Sequence, residues 1–267
     1  MNSPTPNDPS RTAPGFHQRV QRQFGRQACH YDTQAQLQRG IAWRLAHHCR
    51  HLAIPPGPRA DLGAGSGLVG AAWTGEHQAP LLQLDLCPEL LARNPLAPGH
   101  GTLVWDLNQG LPLGLQQAAL LTSSFALQWL DAPGEQLEHW CTCLQPGGWL
   151  ALAVPTRASF SAWRQAAQRA AIPFTALELP DANQLLSHAK RHLQLQRCQR
   201  LRFSRSYASG LHFLRQIRQL GAGTSRHQPL AATQLRRLLA QWPSPTVLDW
   251  EVLLLVGQRA TPGQATR

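Results

Sequence analysis

Residues 61 to 70 read DLGAGSGLVG. Gly63, Gly65 and Gly67 form GxGxG, and Gly65, Gly67 and Gly70 also satisfy GxGxxG. Glycines let a backbone turn sharply and approach a ligand without a Cβ clash. Such a loop wraps part of a nucleotide. A dinucleotide would set its pyrophosphate here, and Asp61, two positions before the first glycine, is a poor neighbour for an anion. A cation, such as the amino group of S-adenosylmethionine, suits that carboxylate better. Asp85 follows 24 residues after Asp61, at the end of LLQLDL, where an acid can bind ribose hydroxyls. Asp106 lies near the end of LVWDL (103–107). Strand-end aspartates also cap helices, but three acids at successive strand ends favour a ligand.

These residues need a platform. LLQLDL (81–86), LVWDL (103–107), the buried stretch within AALLTSSFALQWL (118–130) and WLALAVP (149–155) read as strands. A short apolar segment before the glycine loop reads as the first strand. Helical patterns or connectors alternate with them, which implies a mainly parallel sheet with helices on both faces. Residues 16–52 carry Ala35, Leu37, Ile41, Ala42, Leu45 and Ala46 at helical spacing and end near IPPGP. After residue 155 the pattern changes. FSAWRQAAQRAA, DANQLLSHAKRH with Asp181 as N-cap, ASGLHFLRQIRQLGAG with Gly221 as C-cap, and ATQLRRLLAQW read as helices. LQLQRCQRLRFS alternates like a strand, and VLDWEVLLLVGQRA closes the chain as another. The expected organisation is a loose tail over 1–15, an N-terminal helical segment over 16–52 and a core over 59–155. A mainly helical cover over 156–246 and a closing strand over 247–258 complete one domain spanning 16–258, followed by a second tail over 259–267.

Composition narrows the classes. Apolar residues make up 43% of the 267 residues, as in a globular protein, and no run approaches the roughly 18 apolar residues of a membrane span. The N-terminus has no apolar core, so no export signal or anchor is expected and the location is read as cytoplasmic. The six cysteines should then be reduced thiols. Cys141 and Cys143 form CxC without a second pair, and HHxxH at His47, His48 and His51 lacks the glutamate and the i, i+4 histidine pair of HExxH, so no metal site is expected. The net charge of +11 is mostly arginine and spread out. It fits an acidic partner better than nucleic acid, for which no recognised motif exists here.

Asp61 with the glycine run makes DxGxGxG, which resembles the first motif of class I methyltransferases. Longer segments resemble one family among them, the malonyl-acyl-carrier-protein methyltransferases of biotin synthesis. FGRQACHYDTQAQLQRGIAWRLA (24–46) is similar to that family's F-x-x-A-A-x-x-Y-D-x-x-A-x-L-Q through Phe24, Ala28, Tyr31, Asp32, Ala35, Leu37 and Gln38. TSSFALQWL resembles its S-N-L-A-V-Q-W through Ser123, Ala126, Gln128 and Trp129, and LQPGGWLAL matches a turn and strand of the wider superfamily. FSRSYASGLHFLRQIRQLGAG and LAATQLRRLLAQWP resemble two late helices of the family. Two departures stand out: Ser124 where the family often has Asn, and Trp250 near where it often has Tyr. The resemblance spans residues 16–258.

The resemblance implies a Rossmann-like class I methyltransferase fold and S-adenosyl-L-methionine as methyl donor. Its binding residues would be Asp61, Gly63, Ala64, Gly65, Gly67, Asp85, Leu86, Asp106, Leu107 and Ser123, with Asp106 near the adenine amino group. It implies methyl transfer to the free carboxylate of a malonyl thioester on acyl carrier protein. Tyr31, Gln128, Trp129 and Arg215 are the expected catalytic set. Tyr31 would lie over the donor, Gln128 and Trp129 would border the methyl, and Arg215 would orient the carboxylate. Arg218, Arg236 and Arg237 are candidates for meeting the acidic carrier. A monomer is expected, with no nucleic acid or membrane partner. Other readings are a methyltransferase of another small carboxylate or quinone-type metabolite, a degenerate binding protein of the same fold, and, on charge alone, an RNA methyltransferase.

Overall fold

A computed structural model describes residues 15–73 and 79–261. Of the expected first tail over 1–15 all but Gly15, and of the second the end, 262–267, lie outside the described residues. Two helices open the chain, α1 (Phe16–Gln34) and α2 (Gln36–Cys49). The core then runs β1 (Arg59–Leu62), α3 (Leu68–Trp73), β2 (Leu82–Asp85), α4 (Pro88–Leu91), α5 (Ala97–His100), β3 (Thr102–Val104), β4 (Ala118–Ser124), α6 (Pro133–Thr142) and β5 (Leu144–Pro155). The second half adds α7 (Ser161–Arg169), α8 (Ala182–Lys190), β6 (Leu193–Tyr207), α9 (Gly210–Gln219), α10 (Ala232–Gln241) and β7 (Thr246–Arg259).

The strands form one seven-stranded sheet in the order β3-β2-β1-β4-β5-β7-β6. β1 to β5 pair in parallel, and β7 runs antiparallel to both β5 and β6. The order reverses between β1 and β4, so a crevice opens beyond their carboxyl ends, where ligands of open α/β sheets bind. This is the Rossmann-like class I methyltransferase topology expected above.

Side-chain alternation decides the layers. On β5, Leu150, Leu152 and Val154 join β7's Leu253 and Leu255 under α6 and α8. The intervening Trp149, Ala151 and Ala153 join Val252, Leu254 and Val256 under α2 and α3. The central strands are buried on both faces and therefore carry near-continuous apolar runs. Each fully buried leucine contributes roughly 2 kcal/mol of transfer free energy. A third cluster, with Phe160, Trp163, Phe213, Leu238 and Trp242, gives the cover its own core.

The second half combines the expected helices with the expected strand. Residues 156–246 hold four helices but also β6, the longest strand, which pairs with β7 along its whole length. The alternation in LQLQRCQRLRFS is that of an edge strand, exposed on much of its surface. The closing strand runs from Thr246 to Arg259, so it takes the first residue of the expected tail. The two expected caps form: Asp181 Oδ1 accepts from the N–H groups of Asn183 and Gln184, and Gly221, at φ 83°, closes α9 through its N–H to Arg218 O.

The QPGG turn (145–148) lies within β5. A Cβ on Gly148 would sit 2.6 Å from Ala118 O and 2.9 Å from Gln145 O, both backbone atoms that cannot swing away. A Cβ on Gly114 would meet open space. Gly148→Ala is expected to lower Tm by roughly 5 °C, from a strain of about 1–3 kcal/mol. Gly114→Ala should leave Tm nearly unchanged, and differential scanning fluorimetry compares the two directly.

Candidate active site

β1 ends at Leu62 and the chain turns at once. Gly63, at φ 73°, stands where a Cβ would lie 2.2 Å from the Ala126 Cβ. The N–H groups of Gly63 and Ala64 both donate to Leu84 O at 2.8 Å, which ties the turn to β2. No side chain but hydrogen fits there in that conformation. Gly65 donates its N–H to Asp85 Oδ2 at 2.8 Å, and Cys87 N–H donates to Asp85 Oδ1 at 2.8 Å. Both oxygens of Asp85 are thus aimed while the carboxylate still lines a cavity.

That cavity lies beyond the carboxyl ends of β1, β2 and β4. Asp61, Gly63, Ala64, Gly65, Asp85, Leu86, Asp106 and Leu107 line it, with Tyr31 and Trp129 opposite. Ser124, Phe125 and Ala126 line it from the loop after β4. Asp61 is buried; its Oδ1 accepts from Thr122 Oγ1 at 2.8 Å, and its Oδ2 has no partner among the described residues. Burial pushes Asp61 up to about 7, with Asp85 adding to the rise while Thr122 opposes it. Burial also raises Asp85 to about 6, against the pull of its backbone donors. An orphaned, buried carboxylate oxygen facing a cavity calls for a cationic donor. The ammonium of a methionine-type group fits it, a ribose fits Asp85, and the apolar wall of Leu86, Leu107 and Leu130 fits a base. Asp106 also caps the turn after β3, its Oδ1 accepting from Asn108 N–H and Nδ2.

α1 roofs the cavity. His17, Val20, Gln21, Phe24 and Tyr31 face it along one stripe, at the 3- and 4-residue steps of a helix face. Both ends are fastened. Near the start, His17 Nε2 lies 3.3 Å from Asp131 Oδ1, which also pairs with Arg226 at 2.8 Å. Near the end, Ser66 Oγ donates to Asp32 Oδ1 at 2.6 Å and joins the helix to the glycine turn. Phe24 packs edge-on against Trp129, ring centres 5.4 Å apart.

A second, inner cavity adjoins the first. Phe24, Tyr31, Gln38, Phe125 and Trp129 line both. The inner one continues past Gln128, Phe160, Trp163, Thr175, Ile217, Gly223, Thr224, Ser225 and Trp250, with no charged side chain among these. Phe125 and Phe160 hold left-handed backbones, φ 58° and 63°, at a cost of about 1–3 kcal/mol each. Phe125 O accepts from Gln128 Nε2 at 2.6 Å, while Gln128 Oε1 is buried without a partner among the described residues. Burial, with Asp85 and Asp32 adding, pushes the Tyr31 phenol far above its ordinary range, so it stays a neutral donor.

Three expected site residues line neither cavity. Gly67, at φ 84°, makes room for the Asn94 side chain, 2.3 Å from where its Cβ would be. Ser123 is fully buried and donates to Leu62 O at 2.8 Å, holding β4 to β1. Arg215, on α9, lies in an outer cleft with Arg19, Arg22, Arg26, Arg218 and Arg226, outside the inner cavity. Phe24, Phe125, Phe160, Trp163 and Trp105 line the cavities but were not among the expected site residues. The helical stripe through Tyr31 would have found Phe24 and His17. Nothing in the sequence marks Phe125 or Phe160 as left-handed. Among the described residues, no cluster of His, Cys, Asp and Glu could hold a metal ion.

The raised carboxyl groups set a pH dependence. The folded state retains protons that the unfolded chain, with carboxyls near 3.8, has released. Without a cation, stability is therefore lost as pH rises from about 4 to about 7. A bound cation favours ionised Asp61, so S-adenosylmethionine affinity should rise with pH between about 5.5 and 7, by up to about tenfold per unit. Asp61→Asn should flatten that slope and weaken binding at pH 7.5 at least tenfold, read by calorimetric titration.

Comparison with known proteins agrees with this geometry. Residues 60–152 match the family described as a methyltransferase domain. Among solved structures, the YcgJ protein of Bacillus subtilis superposes with a TM-score of 0.56 at 12% identity, covering 84% of this chain and 100% of that one. A geranyl diphosphate methyltransferase solved with S-adenosylmethionine gives 0.50 at 14%, covering 83% and 85%. At such identities the likeness speaks for the fold. In sequence, the chain is 31% identical over 242 residues to the biotin biosynthesis bifunctional protein of Bordetella avium, covering 84% of this chain and 48% of that protein. It spans about half of that longer relative. Over 220 residues it is 32% identical to the malonyl-acyl-carrier-protein O-methyltransferase of Methylococcus capsulatus, covering 77% of each. With that identity spread over most of both proteins, the chain belongs to the malonyl-acyl-carrier-protein O-methyltransferase family of methyltransferases.

Proposed function

We propose that the protein transfers a methyl group from S-adenosylmethionine to the free carboxylate of a malonyl thioester carried by acyl carrier protein. One observation carries this reading: the acidic donor cavity and the uncharged inner cavity share a wall of Phe24, Tyr31, Gln38, Phe125 and Trp129. An acceptor in the inner cavity therefore meets the donor across that wall, in a space lined by aromatic rings.

S-adenosylmethionine supplies an electrophilic methyl carbon. Asp61, Asp85 and the turn at Gly63–Gly65 would hold it, with Leu86, Asp106 and Leu107 around the nucleoside. The acceptor carboxylate, with an ordinary pKa near ~4, is ionised at neutral pH and needs no general base. The protein's own task is alignment and exclusion of water. Tyr31, neutral at every working pH, can donate its O–H to one carboxylate oxygen and leave the other free to attack. Gln128 Oε1 can accept an N–H from the amide-bearing thioester arm, which would satisfy its unpaired oxygen. Trp129 and Phe125 close the wall around the reacting atoms. An arginine clamped on the carboxylate would blunt the nucleophile, and Arg215 stands outside this cavity.

The reading predicts transfer of label from S-adenosylmethionine to malonyl-carrier and none to acetyl-carrier, which lacks the free carboxylate. No labelling of any malonyl thioester by protein that binds the donor would favour another small acid as acceptor. Tyr31→Phe removes one hydrogen bond and should lower kcat by about tenfold with donor affinity within about twofold. Gln128→Leu should act mainly on the acceptor KM.

A further inference from the structure

The inner cavity also adjoins the outer cleft. Trp163, Thr175, Ile217, Gly223, Thr224 and Ser225 line both it and the outer cleft between α1, α9 and the segment after α9. Six arginines, Arg19, Arg22, Arg26, Arg215, Arg218 and Arg226, line that cleft, and no Asp or Glu does among the described residues. All six are exposed. Their spacing makes two facing rows. Arg19, Arg22 and Arg26 step by three and four along α1, and Arg215 and Arg218 step by three along α9. A charge of one sign collected on both walls of a cleft, above an uncharged passage, is a footprint for an anionic body that inserts a slender arm.

The geometry points to this cleft as the docking surface for acyl carrier protein. The acidic face of the carrier lies against the two arginine rows, and the phosphopantetheine arm enters between Thr175 and Gly223–Ser225. The inference rests on the reading of the carrier as acceptor bearer. It also assigns Arg215 and Arg218 to carrier docking, on the outer side of the passage. The phosphate at the head of the arm would remain among the arginines, and the amide-bearing, uncharged remainder would run through the passage toward Gln128.

The test compares two double variants of equal charge change. Arg22→Glu/Arg26→Glu alters the cleft. Lys190→Glu/Arg197→Glu alters exposed positions on α8 and β6, elements that line neither cavity nor the cleft. Each is assayed at about 0.15 M salt with malonyl-acyl carrier protein and with malonyl-N-acetylcysteamine, a thioester that lacks both protein and phosphate. The cleft variant should raise KM for the carrier substrate at least tenfold and leave kcat/KM for the small thioester within about twofold. The control variant should change neither by more than about twofold. An equal loss on both substrates, an equal loss in the control, or no loss on the carrier would overturn the inference. Binding of fluorescently labelled holo-acyl carrier protein, read by anisotropy, separates docking from chemistry. If the unaltered enzyme methylates no malonyl thioester yet binds the carrier, and the cleft variant abolishes that binding, the docking surface stands and the acceptor assignment falls. Absent or unaltered binding would sink the docking surface itself.

Discussion

A carboxylate with one unpaired oxygen, buried at the carboxyl edge of a sheet, is the constraint around which this molecule is arranged. Asp61 has Thr122 for one oxygen and nothing for the other among the described residues. Removing such a group from water costs several kcal/mol unless it stays protonated or meets a cation, and the rise of Asp61 to about 7 expresses that cost. The surroundings keep the problem in place. The turn at Gly63 lets Ala126 press against it, α1 closes above, and Phe125, in a left-handed backbone, lines the same cavity. Local unfavourable terms gather where the chain must bind something charged, and two broad apolar layers elsewhere offset them.

The division of labour follows from that arrangement. The sheet aims backbone groups and carboxylates at the donor site, and its central strands are packed on both faces. The second half has an aromatic cluster around Trp163, Phe213 and Trp242 that is separate from the two sheet layers, and Phe160, Trp163 and Trp250 of it border the inner cavity. On the proposed reading, a separate core lets this part be shaped to an acceptor without disturbing the donor side. The two parts meet at Phe24, Tyr31, Phe125 and Trp129, where aromatic rings can fill space and exclude water without adding charge.

Much of this was legible in the sequence, for identifiable reasons. Asp61, Asp85 and Asp106 stand at successive strand ends, and strand ends can be read from apolar runs. Segments 24–46 and 122–130 singled out Tyr31 and Trp129, and both side chains line the donor cavity. What could not be read was direction. Ser123 neighbours Ser124, yet one side chain seals β4 to β1 and the other lines the donor cavity. Gly67 belongs to the same glycine run as Gly65 and serves Asn94 instead of a ligand. Arg215 lies on the expected helix but lines only the outer cleft, while Phe213 of the same helix is buried in the aromatic cluster and Ile217 packs against it. β6 was visible as alternation, but nothing local said that it would extend the sheet by pairing along all of β7.

α1 carries two surfaces on one cylinder. One stripe, from His17 to Tyr31, is the ceiling of the donor cavity, and another, through Arg22 and Arg26, is a wall of the outer cleft. A rigid helix cannot lift one stripe without moving the other. The donor cavity and the arginine cleft therefore share one structural element, and any shift of α1 that reshapes one reshapes the other.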